Sequence, residues 1–270
     1  MKSILSKCYT GTAPQLVDDM LKTYEEERFC IVNFLYFSQI VSQKLFKDKK
    51  DKTEKQLEYK KILLKADYLL PDGIALQIFY FLATLLGRIK SPRKRLENLN
   101  GTDFTPYFLE KIKQKYGNQK ICLFLYGTTP KGIEKATEYI TRKGFNVVFS
   151  QDGYREFQRD IAKAELEKYQ DTINILLVGR TTPTIPLQEL RTLRNYQKIK
   201  QHTLLVMNVG GLFDRRSGSQ KRAPQLIRKL KLERLRRLIS QPRRNRKKVA
   251  NSLKIIPYIF QYLLFKTREE

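Results

Sequence analysis

The chain contains no tryptophan, a single histidine (His202) and only three cysteines (Cys8, Cys30 and Cys122). The cysteines have no CxxC spacing, and so the sequence offers neither a Cys/His zinc site nor a disulfide framework. A lone histidine also disfavours the Ser–His and Cys–His pairs of nucleophilic catalysis. These scarcities argue against several common classes of hydrolase and metalloprotein.

Long apolar runs are also missing. No stretch reaches the roughly eighteen apolar residues that suggest a membrane-spanning helix, and the N-terminal MKSILSKCYT lacks the apolar core of a secretory signal. The longest apolar stretches, residues 74–86 and 255–265, suit either core helices or interfacial helices. We therefore expect a cytoplasmic chain without a membrane-spanning helix.

Three common nucleotide-site motifs are absent as well. The sequence has no GxxxxGK[ST] loop, no GxGxxG loop after a predicted strand and no Asp-x-Asp pair. These absences argue against a P-loop ATPase, a dinucleotide-dependent enzyme and a metal-bridged nucleotide-sugar site. We expect no bound metal and no cofactor.

Acidic residues are few relative to basic ones. The 270 residues include 53 Lys and Arg against 27 Asp and Glu, which gives a net charge of +26. Such an excess favours a polyanionic partner: nucleic acid, an anionic membrane or a phosphorylated substrate. Residues 215–270 alone hold 18 basic and 3 acidic residues. This asymmetry predicts a core domain over residues 1–214 and a basic appendage over residues 215–270.

Short apolar runs alternate with helical patterns along the core. The runs predict buried strands at residues 30–35, 67–70, 120–126, 146–150, 173–178 and 203–209. Helices are predicted within residues 39–65 as two segments, at 103–116 with Thr102 as N-cap, and at 130–142, 155–170 and 186–198. The alternation predicts an α/β fold with a parallel sheet and helices on both faces.

Nearly every predicted strand is followed by glycine and a polar residue. The turns are Asp72-Gly73, Gly127-Thr128-Thr129, Asp152-Gly153-Tyr154, residues 179–182 and residues 210–214. In parallel sheets ligands bind outside the carboxyl ends of the strands, and glycine there lets the backbone approach a ligand closely. The pattern predicts a ligand site at this edge, although ordinary turn glycines would also explain any single loop.

Seven segments, read in order, resemble the WecG/TagA/CpsF family, glycosyltransferase family 26. They are ADYLLPDGIAL (residues 66–76), NLNGTDFTP (98–106), LFLYGTTPKGIEKA (123–136), DGY (152–154), ILLVGRTTP with a downstream QE (175–189), VGGLFDRRSGSQKRAP (209–224) and LERLRRLISQPRRNRKK (232–248). Their number and order make the resemblance specific.

The resemblance implies a Rossmann-like core with a basic α-helical C-terminal appendage. It also implies an inverting, metal-independent transfer of N-acetylmannosamine or a related sugar from a UDP-sugar to a polyprenyl-diphosphate-linked sugar. Such an enzyme would serve cell-surface polysaccharide or teichoic acid synthesis as a peripheral protein on the inner face of the cell membrane. The implied partners are the UDP-sugar, the lipid-linked acceptor and an anionic membrane surface, with no nucleic acid.

Two residues are the catalytic candidates. By resemblance, Asp72 matches the family's proposed general base, and Asn33 matches the asparagine of its first-strand motif, although the threonine of that motif has no clear counterpart. An inverting transfer needs a base to accept the proton of the attacking hydroxyl, and partial burial would raise the pKa of a carboxyl toward a useful range. The alternative is that Asp72 is the N-cap of the following helix.

Five residues are candidates for binding the nucleotide sugar: Gly127, Tyr154, Gln188 and Asp214, which match family positions by resemblance, and Thr128. The loop at Gly127 and Thr128 precedes a helix that starts at Pro130, and helix N-termini favour phosphate groups. Asp214 suits a hydroxyl or ring N–H of the nucleotide, or alternatively an ion pair with a neighbouring arginine. Tyr154 suits packing against uracil or ribose, or alternatively packing within the protein.

The arginine-rich tail is the candidate for binding acceptor and membrane. By resemblance, Arg237, Arg243 and Arg246 reach the diphosphate of the lipid acceptor. Residues 226–239 interleave Leu and Ile with cations as a basic interfacial helix does, and residues 255–265 add aromatic residues suited to the interface. The alternative for this charge run is a solvated face.

Two other functions stay open at this point. The net charge and the segment RRLISQPRRNRKK also suit a nucleic-acid-binding protein, although no zinc-finger spacing, RNP1-like motif or KH loop is present. A catalytically inactive membrane-associated relative is the other, since several family positions differ. Asn98, for example, stands where the family usually has arginine.

Overall fold

The computed structural model describes residues 1–179, 189, 203–216, 250–251 and 253–265. Its six strands form one parallel sheet in the order β2-β1-β6-β5-β3-β4. They are β1 (Phe29–Tyr36), β2 (Tyr68–Asp72), β3 (Ile121–Gly127), β4 (Asn146–Gln151), β5 (Ile173–Gly179) and β6 (Leu204–Met207). Each predicted strand is present, and the α/β, Rossmann-like expectation is confirmed.

Helices occupy most of the connections. They are α1 (Lys2–Ser6), α2 (Ala13–Glu27), α3 (Phe37–Ser42), α4 (Glu54–Lys65), α5 (Ile74–Leu85), α6 (Gly101–Tyr116), α7 (Pro130–Arg142) and α8 (Arg159–Lys168), with 3-10 turns at Lys49–Asp51 and Asn118–Lys120. A short helix, Leu212–Arg216, follows β6. Of the predicted helix at residues 186–198, the structure describes Glu189 alone.

The start of α6 differs from the prediction. Asn100, not Thr102, is the N-cap, because the Asn100 Oδ1 accepts hydrogen bonds from the backbone N–H groups of Thr102 (3.2 Å) and Asp103 (3.1 Å). A side-chain oxygen that satisfies two otherwise unpaired helix N–H groups fixes the first turn. The helix therefore begins at Gly101, two residues earlier than expected.

Both faces of the sheet are covered. In β3, Leu123 and Leu125 join the cluster formed with α2 and α6, whereas Cys122 and Phe124 join the cluster formed with α8. Successive strand residues point to opposite faces, so a strand buried on both sides must be apolar at every position. This requirement explains why the strands could be read as continuous apolar runs.

A third apolar cluster lies over β1 and β2. It gathers α1, α3, α4, α5 and the C-terminal helix, which runs over Ile255–Ile259 and continues as a π-helical turn, Phe260–Leu264. Tyr262 and Leu263 are buried in it, and the rings of Phe46 and Tyr262 lie 5.5 Å apart. No helix in the described ranges is both long enough and apolar enough to cross a membrane. The boundary between a core domain over residues 1–214 and a basic appendage over residues 215–270 stays a prediction.

Alkaline pH is expected to destabilise the fold. Burial raises the pKa of the Cys8 thiol from 9.0 to about 12 and that of the Tyr24 hydroxyl from 10.0 to about 12. Above about pH 9 the unfolded chain therefore loses protons that the folded chain keeps, and the free energy of unfolding falls as pH rises toward 12. Urea unfolding between about pH 8 and 11 measures the decline, and Tyr24→Phe should make it shallower. A pH-independent free energy over this range would contradict the prediction.

Candidate functional site

The sequence-predicted residues of the core collect at one edge of the sheet. Because all six strands are parallel, their carboxyl ends share this edge, where Asp72 ends β2, Gly127 ends β3 and Gly179 ends β5. Four strand spacings separate β2 from β3 in the sheet order. At about 4.8 Å per spacing, the edge from Asp72 to Gly127 is about 19 Å long.

Asp72 lies half-buried in a turn between β2 and α5. The N-cap of α5 is Gly73, in a left-handed conformation at φ 88°, and so the interpretation of Asp72 as the helix cap does not hold. The backbone N–H of Gly73 donates to the Asn98 Oδ1 at 2.8 Å. Asn98, which departs from the family pattern, therefore fastens the turn that carries Asp72.

Asn33 lies in the middle of β1 and is fully buried. Its Oδ1 accepts a hydrogen bond at 2.5 Å from the Nδ2 of Asn208, the residue just after β6. Its own Nδ2 has no hydrogen-bond partner among the described residues. A buried amide N–H without an acceptor costs on the order of 1–3 kcal/mol, which makes this group a candidate donor to a substrate oxygen.

Thr128 connects four segments at the other end of the edge. It is a non-glycine residue in the left-handed region, at φ 51°. Its N–H donates to the Gly179 carbonyl (3.0 Å), its carbonyl accepts from the Gly153 N–H (2.9 Å), and its Oγ1 donates to the Asp214 Oδ1 (2.6 Å). Strained backbone of this kind is maintained where the surroundings over-determine it, often at functional sites. Thr128 thus holds the loops after β3 and β4 and the end of β5 together with Asp214.

Glycine is required where β3 and β5 end. Gly127 has φ 149°, and a Cβ there would lie 2.4 Å from the backbone of Gly179. At Gly179 a Cβ would lie 2.2 Å from the ring of Phe213, which is fully buried. The two glycines therefore let Phe213 pack directly on the strand ends, which positions the adjacent Asp214.

Gly179→Ala should destabilise the protein by about 1–3 kcal/mol through overpacking. Because the clash is with Phe213, adding Phe213→Leu should recover part of the loss. Gly87→Ala is the matched control, since a Cβ at Gly87 would meet nothing within 4 Å and only its positive φ disfavours alanine, so that Phe213→Leu should not rescue it. Thermal unfolding of these four variants and of Phe213→Leu alone measures the coupling. Full stability of Gly179→Ala would contradict the packing argument.

The loop after β4 is held by its own polar residues. The buried Asp152 accepts hydrogen bonds at Oδ1 from the N–H groups of Tyr154 (2.9 Å) and Arg155 (3.3 Å). The Tyr154 side chain is 74% exposed. The alternative of a half-buried packing tyrosine is therefore wrong, and Tyr154 stays available to a ligand that approaches this edge.

Asp214 is buried at the start of the tail, beside Thr128. The neighbouring Arg215, one of the ion-pair partners considered for Asp214, donates from Nη1 to the Thr102 Oγ1 at 2.7 Å. The short helix Leu212–Arg216 is thus attached to the loop after β3 and to the start of α6. This attachment fixes the point from which the basic segment departs.

A buried polar cluster near the end of β1 was not predicted. The Gln39 Nε2 donates to the Tyr59 hydroxyl (2.7 Å) and to the Glu189 Oε1 (3.3 Å), and Glu189 is 2% exposed. Burial raises the pKa of Tyr59 well above its ordinary value, and the nearby Glu189 carboxylate raises it further. Glu189 belongs to the QE pair, and so the glutamate of this pair reaches the β1 side of the edge. The QE motif is the sequence signal that could have pointed to this cluster.

Several predicted site residues lie outside the described residues. They are Gln188, Arg237, Arg243 and Arg246. Across the part of the chain that the structure does describe, no three His, Cys, Asp or Glu side chains are grouped as metal ligands. The described site therefore consists of Asp72 and Asn33 near β2 and β1, and of Thr128, Tyr154 and Asp214 near β3, β4 and β5.

Comparison with known proteins identifies the family of the chain. The family model for the glycosyl transferase WecG/TagA/CpsF family matches residues 12–269. An N-acetylglucosaminyldiphosphoundecaprenol N-acetyl-beta-D-mannosaminyltransferase from Bacillus spizizenii is 29% identical over 191 residues, which cover 70% of this chain and 66% of the relative. The match thus spans slightly less than two thirds of the relative's length. Since the family model covers nearly the whole sequence, the chain belongs to the glycosyl transferase WecG/TagA/CpsF family.

Proposed function

We propose that the protein transfers an N-acetylmannosamine-like sugar from a UDP-sugar to a polyprenyl-diphosphate-linked sugar, with inversion and without a metal ion. The product would enter cell-surface polysaccharide or teichoic acid synthesis. Family membership and the activity for which the Bacillus spizizenii relative is named support this choice. The single observation that carries it is the placement of Asp72 and the Thr128–Asp214 pair on one sheet edge.

The length of this edge suits an extended nucleotide sugar. The nucleotide and its diphosphate would lie at the end formed by β3, β4 and β5, where Thr128, Tyr154 and Asp214 are located. The sugar would then point along the edge toward Asp72. The hydrogen bond from Thr128 fixes the position of the Asp214 carboxylate at this end of the edge.

Asp72 would act on the acceptor. Its carboxylate accepts the proton of the acceptor hydroxyl, whose oxygen attacks the anomeric carbon as the bond from that carbon to the UDP oxygen breaks. The configuration at that carbon inverts because attack and departure occur on opposite faces. UDP leaves with added negative charge, which cations and backbone N–H groups stabilise.

The basic tail would bring the core to its substrate. Fifteen of the residues between Arg215 and Lys248 are basic and one is acidic. Near an anionic leaflet each basic residue contributes about 1 kcal/mol, and a few contacts suffice for recruitment. We therefore place the protein in the cytoplasm, peripherally on the inner face of the cell membrane.

A donor screen tests the proposal. UDP-sugars are incubated with a synthetic polyprenyl-diphosphate-sugar, with and without EDTA, and the anomeric configuration of the product is read by NMR. Transfer that is unaffected by EDTA and that inverts the anomeric centre is expected. UDP should also raise the melting temperature, because a ligand that binds only the native state stabilises it.

The same assay separates the alternatives. An inactive relative would show no transfer from any donor, even if UDP still stabilised it. A nucleic-acid-binding protein would bind DNA at salt concentrations that release it from vesicles, and would gain no stability from UDP. Family membership favours the transferase over both.

A further inference from the structure

Helix α5 exposes an apolar stripe where a soluble helix would present polar residues. Ile78 is 44% exposed and Leu85 is 56% exposed, and the half-buried Leu82 lies between them at helical spacing. Leu86, just past the helix, is 44% exposed. The opposite face of α5, which includes Phe79 and Ala83, packs in the core. The helix is therefore apolar on both sides but covered on only one.

The C-terminal helix repeats this feature. Its inner face buries Tyr262 and Leu263, whereas its outer face exposes apolar residues at spacings of three, four and four. These are Leu253 (67% exposed), Ile256 (61%), Phe260 (48%) and Leu264 (48%), followed by Phe265 (73%). An apolar residue exposed singly is ordinary, but a continuous exposed stripe is not.

The two stripes belong to one surface. The Arg88 side chain, just past α5, donates from Nε to the Leu263 carbonyl at 2.7 Å, which joins the end of α5 to the C-terminal helix. Ten large apolar side chains are exposed in the described part of the chain, and eight of them lie here. We call this surface the α5–C-terminal face; its members are Ile78, Leu85, Leu86, Leu253, Ile256, Phe260, Leu264 and Phe265.

Cations border the α5–C-terminal face beside α5. Residues 87–97, which follow α5, hold five basic residues and one acid. The Arg95 guanidinium lies 5.4 Å from the ring centroid of Phe81 on α5. Apolar side chains flanked by cations are typical of a surface that lies in an anionic lipid interface.

We infer that the α5–C-terminal face inserts into the headgroup region of an anionic bilayer, with α5 lying along the membrane plane. A second copy of the chain is the other candidate occupant, but it would bring like charges together in a protein of net charge +26. Anionic lipid headgroups neutralise the same cations while the acyl boundary receives the apolar stripe. The partner that complements both features is the bilayer.

This orientation places Asp72 near the depth of the lipid headgroups. Asp72 directly precedes the Gly73 cap of α5, and so the carboxylate lies at one end of a helix that rests on the membrane. A helix in the interface plane keeps its end near the headgroups, where the diphosphate and sugar of a lipid-linked acceptor also lie. The inference rests on the lipid-linked acceptor of the proposed function, and it assigns a core helix, besides the basic tail, to membrane docking.

The absence of tryptophan provides a direct test, because a single introduced tryptophan reports on its own site. Leu86→Trp places the reporter on the α5–C-terminal face. Ile161→Trp is the matched control. Ile161 is 51% exposed on α8, which follows β4, and β4 and β2 are at opposite ends of the strand order. With phosphatidylglycerol vesicles, the emission of the first variant should shift to shorter wavelength and be quenched by brominated lipid. The control should do neither, and an unshifted Leu86→Trp on vesicle-bound protein would overturn the inference.

A second variant separates apolar insertion from charge attraction. Leu85→Gln with Leu86→Gln leaves the charge unchanged and should weaken vesicle partitioning about tenfold, because two partly exposed leucines no longer enter the interface. Ile161→Gln should change nothing. Partitioning equal to the parent in the double variant would refute the inference, and so would concentration-dependent dimers that bury Leu86 without lipid.

Activity distinguishes this inference from the proposed function. Transfer to a short-chain, water-soluble acceptor should be the same in the double glutamine variant and in the parent, whereas transfer to a long-chain acceptor in vesicles should fall. If the parent docks through this face but transfers no sugar to either acceptor, the proposed function fails and the docking surface stands. If the double variant transfers sugar to both acceptors at the parental rates, the docking surface fails and the function stands.

Discussion

Replacing Asp72 with asparagine should lower the rate of sugar transfer by about 10²–10⁴-fold, which is the usual contribution of a general base. The amide keeps the shape of the side chain but cannot accept the proton of the attacking hydroxyl. Since Asp72 lies about four strand spacings from Thr128, nucleotide binding should change little. Initial rates under chemistry-limited conditions give the first quantity, and the thermal shift with UDP gives the second.

Asp67→Asn is the matched control for this prediction. Asp67 immediately precedes β2 at the opposite edge of the sheet, where its Oδ2 accepts the Ile31 N–H at 2.7 Å. An asparagine oxygen can accept the same hydrogen bond, and so the control should keep the parental rate. If Asp72→Asn retained more than about a third of the parental rate, far above the expected range, Asp72 would not be the base.

Replacing Arg237, Arg243 and Arg246 together with alanine should nearly abolish transfer to a lipid-linked acceptor while vesicle binding falls only moderately. A hydrogen bond to a charged group contributes about 1.5–3 kcal/mol, and so losing even two such contacts to the diphosphate costs on the order of 10²-fold or more. Twelve other cations remain between Arg215 and Lys248 for recruitment. Transfer rates and vesicle co-sedimentation are measured on the same preparation.

Replacing the same three arginines with lysine supplies the control for charge. The lysine variant keeps three positive charges at these positions but loses the planar guanidinium group that matches phosphate oxygens. Vesicle binding should equal that of the parent, and transfer should be intermediate. Equal transfer by the alanine variant and the parent would remove these arginines from acceptor binding.

Deleting the whole tail would be a poorer experiment. Tyr262 and Leu263 are buried in the cluster over β1 and β2, and the ring of Tyr258 lies 5.6 Å from that of Phe37. Truncation before these residues would expose the core, so a loss of activity would not distinguish unfolding from loss of acceptor binding. The charge pattern of residues 215–270 gave no sign of this packing.

The sheet was predictable because its physical requirement is local. Parallel strands covered on both faces must be apolar at nearly every position, and β3 meets this requirement along its whole length and β5 at every position except Asn174. The turn residues followed from the same alternation, since parallel strands place their carboxyl ends together. Asp72, Thr128 and Asp214 were therefore located at the correct edge from the sequence alone.

The contacts within the site were not predictable, because they join residues that are far apart in the chain. Thr128 and Asp214 are 86 residues apart, Gln39 and Glu189 are 150 apart, and Asn33 and Asn208 are 175 apart. No periodicity in one sequence encodes such a pairing. The role of Asn98 is a further case, since a departure from the family pattern turns out to hold the Gly73 turn.

The pairing of β1 with β6 also constrains how the protein is made. Phe29 of β1 is in register with Leu204 of β6, and the intervening residues must be synthesised before the two strands can meet. At about 5–20 residues per second, these 175 positions take on the order of 10–35 s. During that time β1 has β2 on one side and nothing on the other, and its buried Cys30 and Val32 lack their final neighbours. We therefore expect the nascent chain to be a chaperone client until β6 emerges, and slow synthesis of the segment before Leu204 to reduce the yield of native protein.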